Sequence, residues 1–307
     1  MKTNISVAIG KLKLVNPVMV ASGTFGYAQE FSDFMDLKKL GAIVTKTITL
    51  NPRQGNPAPR TCETPSGMLN SIGLENPGLE AFVKDKLPLL KKIGVPIIVS
   101  IASEGDPAEF VALARRLDKI REVAAIELNI SCPNIKNHKA ARLISQDAQS
   151  TFQVVMGVRK ATGKTLITKL SPNVTDIAGI AQAAEKAGSD AVSLVNTLTG
   201  MSIDIHAKKP KIASSTGGLS GPAIRPVAVR MVWETRQKIK IPIIGMGGII
   251  DTPSALEFII AGATAISVGT ANFVNPGVTV EIIRGIKEYL AQHKVKDIKE
   301  LVGSLRA

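Results

Sequence analysis

The segment Val123–Asn134 begins with the apolar run Val123–Ile126 and ends with Asn129-Ile130-Ser131-Cys132-Pro133-Asn134. The apolar run is typical of a buried strand, so the polar residues after it lie where a strand ends. Two carboxamides and a thiol at such an end can bind a planar polar ring and take up a proton. An isolated cysteine is more often a small buried apolar residue, and asparagines often only make turns, so the interpretation depends on the rest of the chain.

The same pattern of a short β-rich run followed by a longer stretch recurs along the chain. The eight candidate strands are Pro17–Ser22, Gly41–Lys46, Pro96–Ile101, Ala125–Ile130, Thr165–Leu170, Ala191–Val195, Ile241–Met246 and Ala265–Val268. Between them, Pro107–Ile120 and Thr175–Ala187 have apolar residues at helical spacing, and Asp106 and Asp251 stand where helix caps belong. This alternation predicts an α/β fold, a parallel (β/α)8 TIM barrel. An open doubly wound sheet is the alternative, and the lack of a GxGxxG fingerprint weakens it.

Additions to the simple barrel are also predicted. Residues 4–15 alternate apolar and polar around Gly10, which predicts an N-terminal β-hairpin that caps one end of the barrel. Two connections, Thr47–Val95 and Asn196–Lys240, are too long for simple barrel helices. Such βα insertions usually carry function, and the first contains Asn70–Gly78, where carboxamides stand among apolar residues.

Length and composition fit one large core. The chain has 307 residues, 45% of them apolar and 21% charged, which predicts a single domain over residues 1–307. No apolar run reaches the roughly 18 residues of a membrane span, and the first residues have no signal-peptide core, so we expect a cytoplasmic protein with no membrane contact. The two cysteines, Cys62 and Cys132, and the three histidines show no metal-ligand spacing, so no metal site is expected on this chain and Cys62 is interpreted as structural.

The net charge of +13 allows several partners. Basic residues are scattered, the densest cluster being Lys208-Lys209-Pro210-Lys211, and aromatic residues make up only 4% of the chain. Nucleic-acid binding is therefore disfavoured, and a solvated basic surface or an acidic partner remains.

Polar residues recur where the predicted strands end. They are Ser22, Lys46-Thr47, Ser100, Asn129, Lys169 and Asn196-Thr197. In a barrel of parallel strands these ends form one rim, and active sites of this architecture lie there. The sequence thus predicts one site built from six strand ends.

Three glycine clusters precede or end the last two predicted strands. They are Gly217-Gly218-Leu219-Ser220-Gly221-Pro222, Gly245-Met246-Gly247-Gly248 and Gly269-Thr270. Glycine lets backbone amides approach a phosphate closely, and barrels of this type often bind phosphate at that place. Simple loop flexibility is the competing explanation.

The lysines leave the chemistry open. Lys46 and Lys169 end the second and fifth predicted strands, where a lysine can bind an anion or form a Schiff base. Cys132 favours a proton-transfer reaction, because a proton acceptor among carboxamides suits abstraction from a carbon beside a carbonyl.

The sequence resembles the dihydroorotate dehydrogenase family, and within it the class 1B catalytic subunits, nearly from end to end. The segments that carry the resemblance are Ala21–Gly26, Thr45-Lys46-Thr47, Asn70–Gly78, Asn129–Asn134, Asn196-Thr197, Gly217–Pro222 and Gly245–Gly248. The resemblance implies a TIM barrel that binds FMN and oxidises dihydroorotate to orotate in pyrimidine synthesis. Cys132 is the implied base, and Lys169 is the implied stabiliser of the charge on reduced flavin.

The resemblance also implies the remaining site residues. The implied substrate-binding residues are Lys46, Asn70, Ser71, Ile72, Gly73, Leu74, Asn129, Asn134, Asn196 and Thr197. The implied FMN-binding residues are Ser22, Lys46, Thr47, Ser100, Asn129, Lys169, Val195, Gly221, Gly247, Gly248, Gly269 and Thr270. Class 1B members usually have asparagine where this chain has Ser100, so one flavin contact is expected to be lost.

The implied electron acceptor is a second subunit. Class 1B chains pass electrons to a partner that carries FAD and a [2Fe–2S] cluster and reduces NAD, in a heterotetramer built on a homodimer core. The alternatives are fumarate-linked class 1A activity and a flavoenzyme similar to dihydropyrimidine dehydrogenase. Dihydropyrimidine dehydrogenases generally have histidine after the Cys-Pro pair, where this chain has Asn134.

Overall fold

A computed structural model gives the structure of residues 3–131 and 144–306. Its centre is a closed barrel of eight strands, each parallel to its neighbours, with the last paired to the first. In chain order, barrel strands one to eight are Val18–Val20, Ala42–Val44, Ile97–Ile101, Val123–Asn129, Thr165–Lys169, Ala191–Leu194, Ile243–Gly245 and Ala265–Val268. The TIM-barrel prediction is confirmed. Seven predicted runs contain their barrel strand, and the fourth strand begins at Val123, two residues before its predicted run.

Helices surround the barrel and bury their apolar faces against it. The α-helices in the described part of the chain are Gly78–Ala81, Leu87–Ile93, Pro107–Asp118, Ala148–Arg159, Ile177–Lys186, Arg225–Arg236, Thr252–Ala261, Ala271–Val274 and Val278–Gln292, with a π-helical turn at Phe82–Lys86. The predicted caps are confirmed: Asp106 accepts from the Ala108 amide at 2.8 Å, and Asp251 accepts from the Ser254 amide at 2.8 Å. Each cap satisfies an amide that the first helical turn leaves without a backbone partner.

The connection between barrel strands one and two departs from strict strand–helix alternation. It contains the single-turn 3-10 helices Gln29–Phe31 and Leu37–Lys39, where an α-helix was expected. The rings of Phe25 and Phe31 stack at a centroid distance of 4.0 Å, so buried aromatic contacts hold this segment on the barrel.

The predicted N-terminal hairpin is present. Val7–Ile9 pairs antiparallel with Leu12–Leu14 around Gly10. The Lys11 amide donates to Thr165 Oγ1 at 3.2 Å, and Lys11 Nζ donates to the Gly163 carbonyl at 3.1 Å. Since Thr165 begins barrel strand five, the hairpin covers the N-terminal end of the barrel and leaves the other end open.

The two long insertions meet in a second sheet above the C-terminal end of the barrel. Its strands, in spatial order, are Leu198–Gly200, Gly217–Ser220, Gly67–Asn70 and Thr61–Thr64, all antiparallel to their neighbours. A small hairpin pairs Ile203–Asp204 with Lys209–Pro210. The second sheet was not predicted from the sequence. It joins segments about 150 positions apart and places Asn70 over the barrel opening, paired with Gly218.

Residues 3–131 and 144–306 lack two features that would indicate other functions. In that part of the chain no helix is both long and apolar enough to cross a membrane. The same residues include no cluster of three or more His, Cys, Asp or Glu side chains that could hold a metal ion.

Candidate active site

A cavity lies at the C-terminal end of the barrel, between the strand ends and the second sheet. The cavity and the open solvent at its mouth together occupy about 990 Å³. Most of the residues predicted for the site line it: Ser22, Lys46, Thr47, Asn70, Ile72, Gly73, Leu74, Asn129, Lys169, Val195, Asn196, Thr197, Gly221, Gly247, Gly248, Gly269 and Thr270. The fold thus brings the ends of seven barrel strands, all except the third, and both long insertions to one place.

Carboxamides on neighbouring elements are joined by hydrogen bonds. Asn129 Nδ2 donates to Thr47 Oγ1 at 3.2 Å, and Asn196 Nδ2 donates to Ser131 Oγ at 3.0 Å and to Asn129 Oδ1 at 3.4 Å. The amide of Thr197 donates to Asn196 Oδ1 at 2.9 Å. These bonds hold the amide planes of Asn129 and Asn196 in fixed directions at the cavity wall, as recognition of a planar polar ring requires.

The second sheet sets the position of the third carboxamide. Asn70 Nδ2 donates to the Gly218 carbonyl at 3.3 Å, across the strand pair that joins the insertions. A Cβ atom on Gly217 would lie 2.7 Å from the Asn70 carbonyl oxygen, so the two strands approach too closely for a side chain there. Gly217 therefore serves the sheet, whereas the sequence interpretation assigned this glycine cluster to phosphate.

Lys169 brings a positive charge to the cavity from barrel strand five. Its side chain is almost fully buried, with 5% of the residue exposed, and Nζ lies 3.5 Å from Ser22 Oγ. A buried ammonium is strongly disfavoured unless it faces negative charge or good acceptors. The lysine is thus suited to an anionic ligand, or to one that becomes anionic during the reaction.

Another part of the cavity wall is lined by backbone. Gly247 and Gly248 follow barrel strand seven with φ of 122° and 78°, values that only glycine adopts easily. Gly221 lies beside them, at the start of the Pro222–Ile224 turn that leads into helix Arg225–Arg236. Backbone N–H groups near a helix start form a suitable anion site.

Two observations indicate room for a ligand in direct contact with this wall. A Cβ atom added to Gly23 would meet no atom within 4 Å, so the surface beside this glycine is free for another molecule. Ser267 Oγ on barrel strand eight is buried and has no hydrogen-bond partner among the described residues. Buried hydroxyl groups usually have partners, so Ser267 is a candidate ligand contact.

Ser71 and Ser100 do not line the cavity. Ser71 is buried in the insertion, where its hydroxyl accepts from Asn56 Nδ2 at 2.9 Å. Ser100 is fully buried in the barrel, 3.0 Å from Thr47 Oγ1. Cys132 and Asn134, the predicted base and one predicted substrate contact, lie outside the described residues.

Several cavity residues were absent from the sequence-based list of site residues. Thr24, Ser220, Ser267, Ile249 and Ile250 all line the cavity. Thr24, Ile249 and Ile250 lie just beyond strand ends, so extending the strand-end rule by a few residues would have found them. Ser267 lies inside an apolar strand and gave no such signal.

Comparison with known proteins identifies the family. The dihydroorotate dehydrogenase family model matches residues 4–290. The chain is 55% identical over 305 residues to the protein named dihydroorotate dehydrogenase B (NAD(+)), catalytic subunit, of Trichlorobacter lovleyi, covering 99% of both chains. Proteins of the same name from Geotalea daltonii and Desulforamulus reducens are 52% and 53% identical, again over 99% of both chains. The chain therefore belongs to the dihydroorotate dehydrogenase family.

Proposed function

We propose that this chain oxidises (S)-dihydroorotate to orotate, as the catalytic subunit of an NAD-linked class 1B enzyme. The observation that carries the proposal is the cavity, in which hydrogen-bonded carboxamides, a buried lysine and a glycine-lined anion site face one space. The names of relatives that match over the full length support the same activity.

The cavity fits the cofactor FMN. The backbone around Gly221, Gly247, Gly248, Gly269 and Thr270 would hold its phosphate, and the open space beside Gly23 would receive the ring system. Ser267 would gain a partner for its buried hydroxyl group. When bound, FMN supplies a two-electron acceptor for the hydride that leaves C6 of dihydroorotate.

The site residues have separate roles in the proposed reaction. Asn70, Asn129 and Asn196 hold the polar edges of the pyrimidine ring, together with Asn134, and Lys46 binds near both ligands. Cys132 takes the proton from C5 as the hydride leaves C6, so the new double bond forms between C5 and C6. Lys169 stabilises the negative charge that reduction of the cofactor creates, since its ammonium is already held at the buried wall of the cavity.

Turnover requires an acceptor for the two electrons of the reduced flavin, and we propose that a partner subunit is this acceptor. The relatives are named catalytic subunits, which implies a second subunit. We propose that this subunit carries FAD and a [2Fe–2S] cluster, reduces NAD, and binds to a homodimer of the present chain in a heterotetramer in the cytoplasm. No nucleic acid is expected to take part.

The test is an acceptor comparison on the purified chain. We expect a yellow protein with one FMN per chain, bleached by dihydroorotate under anaerobic conditions. NAD reduction should be slow with the isolated chain and fast after addition of the candidate iron–sulfur flavoprotein. A colourless protein that FMN does not bind would contradict the dehydrogenase activity. Fast fumarate reduction by the isolated chain, or fast NAD reduction without the partner, would contradict the class 1B assignment alone.

A further inference from the structure

A carboxylate lies inside the barrel beneath the active-site cavity. Glu127, on barrel strand four, is 2% exposed. One carboxylate oxygen accepts from Ser100 Oγ at 3.2 Å and the other from Ser193 Oγ at 3.0 Å. The interior of such a barrel is ordinarily filled with branched apolar side chains, and burying a carboxylate is costly. Packing alone does not explain this residue.

A chain of hydrogen bonds leads from Glu127 to the cavity. Ser100 Oγ lies 3.0 Å from Thr47 Oγ1, and Thr47 Oγ1 accepts from Asn129 Nδ2 at 3.2 Å. By geometry either hydroxyl could donate in the Ser100–Thr47 pair. The carboxylate removes this ambiguity because it only accepts: Ser100 donates to Glu127, Thr47 donates to Ser100, and Thr47 is left to accept from Asn129.

The direction of this chain is one of two constraints on the orientation of a cavity-lining amide. The two ends of an asparagine amide have nearly the same shape, so the network around them selects the orientation. With Nδ2 of Asn129 committed to Thr47, its Oδ1 faces Asn196 Nδ2 and Ser131 Oγ, each at 3.4 Å. Ser131 directly precedes Cys132 in the sequence.

We propose that Glu127 is a positioning residue, which sets the direction of the Ser100–Thr47–Asn129 chain and so strengthens the hold on the amide orientation that Asn129 presents to the substrate. The proposal rests on the proposed function, because it assumes that the cavity binds the pyrimidine ring. Glu127 acts through three other residues and does not itself line the cavity.

The principal variant is Glu127→Gln. Glutamine has almost the same shape, but its amide can donate to Ser100, so the chain can run in either direction and Thr47 is no longer committed to accept from Asn129 Nδ2. Asn129 then keeps only the bonds to its Oδ1, from Asn196 Nδ2 and Ser131 Oγ at 3.4 Å, to hold its orientation. We expect the dissociation constant of orotate, measured by titration of the flavin absorbance, to rise about 10-fold, the usual size for one misdirected polar contact. The KM for dihydroorotate should rise by a similar factor, and this rise should exceed the fall in kcat. The FMN content should stay at one per chain.

Two serine variants provide a matched pair. Ser100 and Ser193 are both fully buried and both donate to Glu127, but only Ser100 belongs to the chain that reaches Asn129. Ser100→Ala and Ser193→Ala should therefore lower the Tm by similar amounts, since each removes one buried hydrogen bond to the same carboxylate. Only Ser100→Ala should weaken orotate binding about 10-fold, and Ser193→Ala should stay within about twofold. The double variant Glu127→Gln/Ser100→Ala should bind orotate no worse than either single variant, because both changes break one chain.

Equal weakening of orotate binding by the two serine variants would overturn the proposal, as would an unchanged dissociation constant in Glu127→Gln. If Glu127→Gln does not retain FMN, the serine pair decides the question alone. Wild-type protein that binds FMN but not orotate would contradict the proposed function itself. The wild-type measurement therefore tests the proposed function, and the variants test the role of Glu127.

Discussion

The two cysteines allow a controlled test of the base at the level of single residues. Cys132 follows the end of barrel strand four, whereas Cys62 is half-buried in the outer sheet, away from the cavity lining. Cys132→Ala should slow bleaching of the flavin by dihydroorotate on the order of 100-fold or more, the usual effect of removing a general base, with FMN still bound. Cys62→Ala should keep the wild-type rate. Rapid-mixing absorbance measures both, and a wild-type rate in Cys132→Ala would exclude it as the base.

The serine variant at the same position adds a pH signature. A hydroxyl group is a much weaker acid than a thiol, whose ordinary pKa is about 8.5. The reactive, deprotonated form is therefore scarce in Cys132→Ser and increases with each pH unit. The residual rate of Cys132→Ser should keep rising above the pH at which the wild-type rate levels off, and a parallel pH profile in the two proteins would contradict this role.

Single residues also show how far the sequence could predict the site. Lys169 and Asn129 were found because a polar side chain at the end of an apolar strand is conspicuous. Glu127 was missed although it stands two positions before Asn129, a spacing that places both side chains on the same face of the strand. Its partners, Ser100 and Ser193, lie on other strands, so their common contact appears only when the barrel closes.

Among the structural elements, the turn after barrel strand seven has a restrictive geometry. Gly248 has φ of 78°, and a Cβ atom there would lie 2.7 Å from Arg225 Cβ and 2.9 Å from the Gly221 carbonyl oxygen. Gly248→Ala must therefore shift either this turn or the start of helix Arg225–Arg236, and both form part of the proposed phosphate site. We expect FMN affinity to fall at least 10-fold, as misplacing one or two hydrogen bonds to a charged group would produce.

A glycine outside the site supplies the control for this change. Gly163 precedes barrel strand five at the N-terminal end of the barrel, and a Cβ atom on it would meet nothing within 4 Å. Gly163→Ala should leave FMN affinity unchanged, as measured by fluorescence during titration of the apoprotein. Equal affinity in Gly248→Ala and wild type would remove this turn from the phosphate site.

The second sheet is the element that the sequence could not predict. Short β-rich, largely apolar runs located the barrel strands because that signal is local. The pairing of Gly67–Asn70 with Gly217–Ser220 depends on contacts between distant segments, and glycine-rich strands give weak β-signals. The sequence identified both insertions as functional, but only the structure shows that they build one wall of the same cavity.

The two ends of the barrel differ in what covers them. The hairpin covers the N-terminal end, while the C-terminal end carries the cavity and exposed apolar side chains beside it. Ile250 lines the cavity and is partly exposed, and the short helix Ala271–Val274, which starts at the cavity wall, exposes Phe273 by 56% and Val274 by 86%. Grouped apolar side chains at the surface often mark an interface. Since the proposed reaction sends electrons out of this cavity, we expect the proposed electron-transfer subunit to bind here.

The docking prediction uses two aspartate variants, at Phe273 and Val274. Burying a new carboxylate in an apolar contact is strongly unfavourable, so Phe273→Asp and Val274→Asp should lower NAD reduction by the reconstituted complex at least 10-fold at limiting partner concentration. Oxidation of dihydroorotate by the isolated chain with a soluble dye should remain near wild type, because neither side chain lines the cavity. Val15→Asp is the matched control: Val15 is 70% exposed but precedes barrel strand one, at the opposite end. If Val15→Asp weakens the complex as much as Val274→Asp does, the loss comes from the added negative charge on a basic chain, and the partner binds elsewhere.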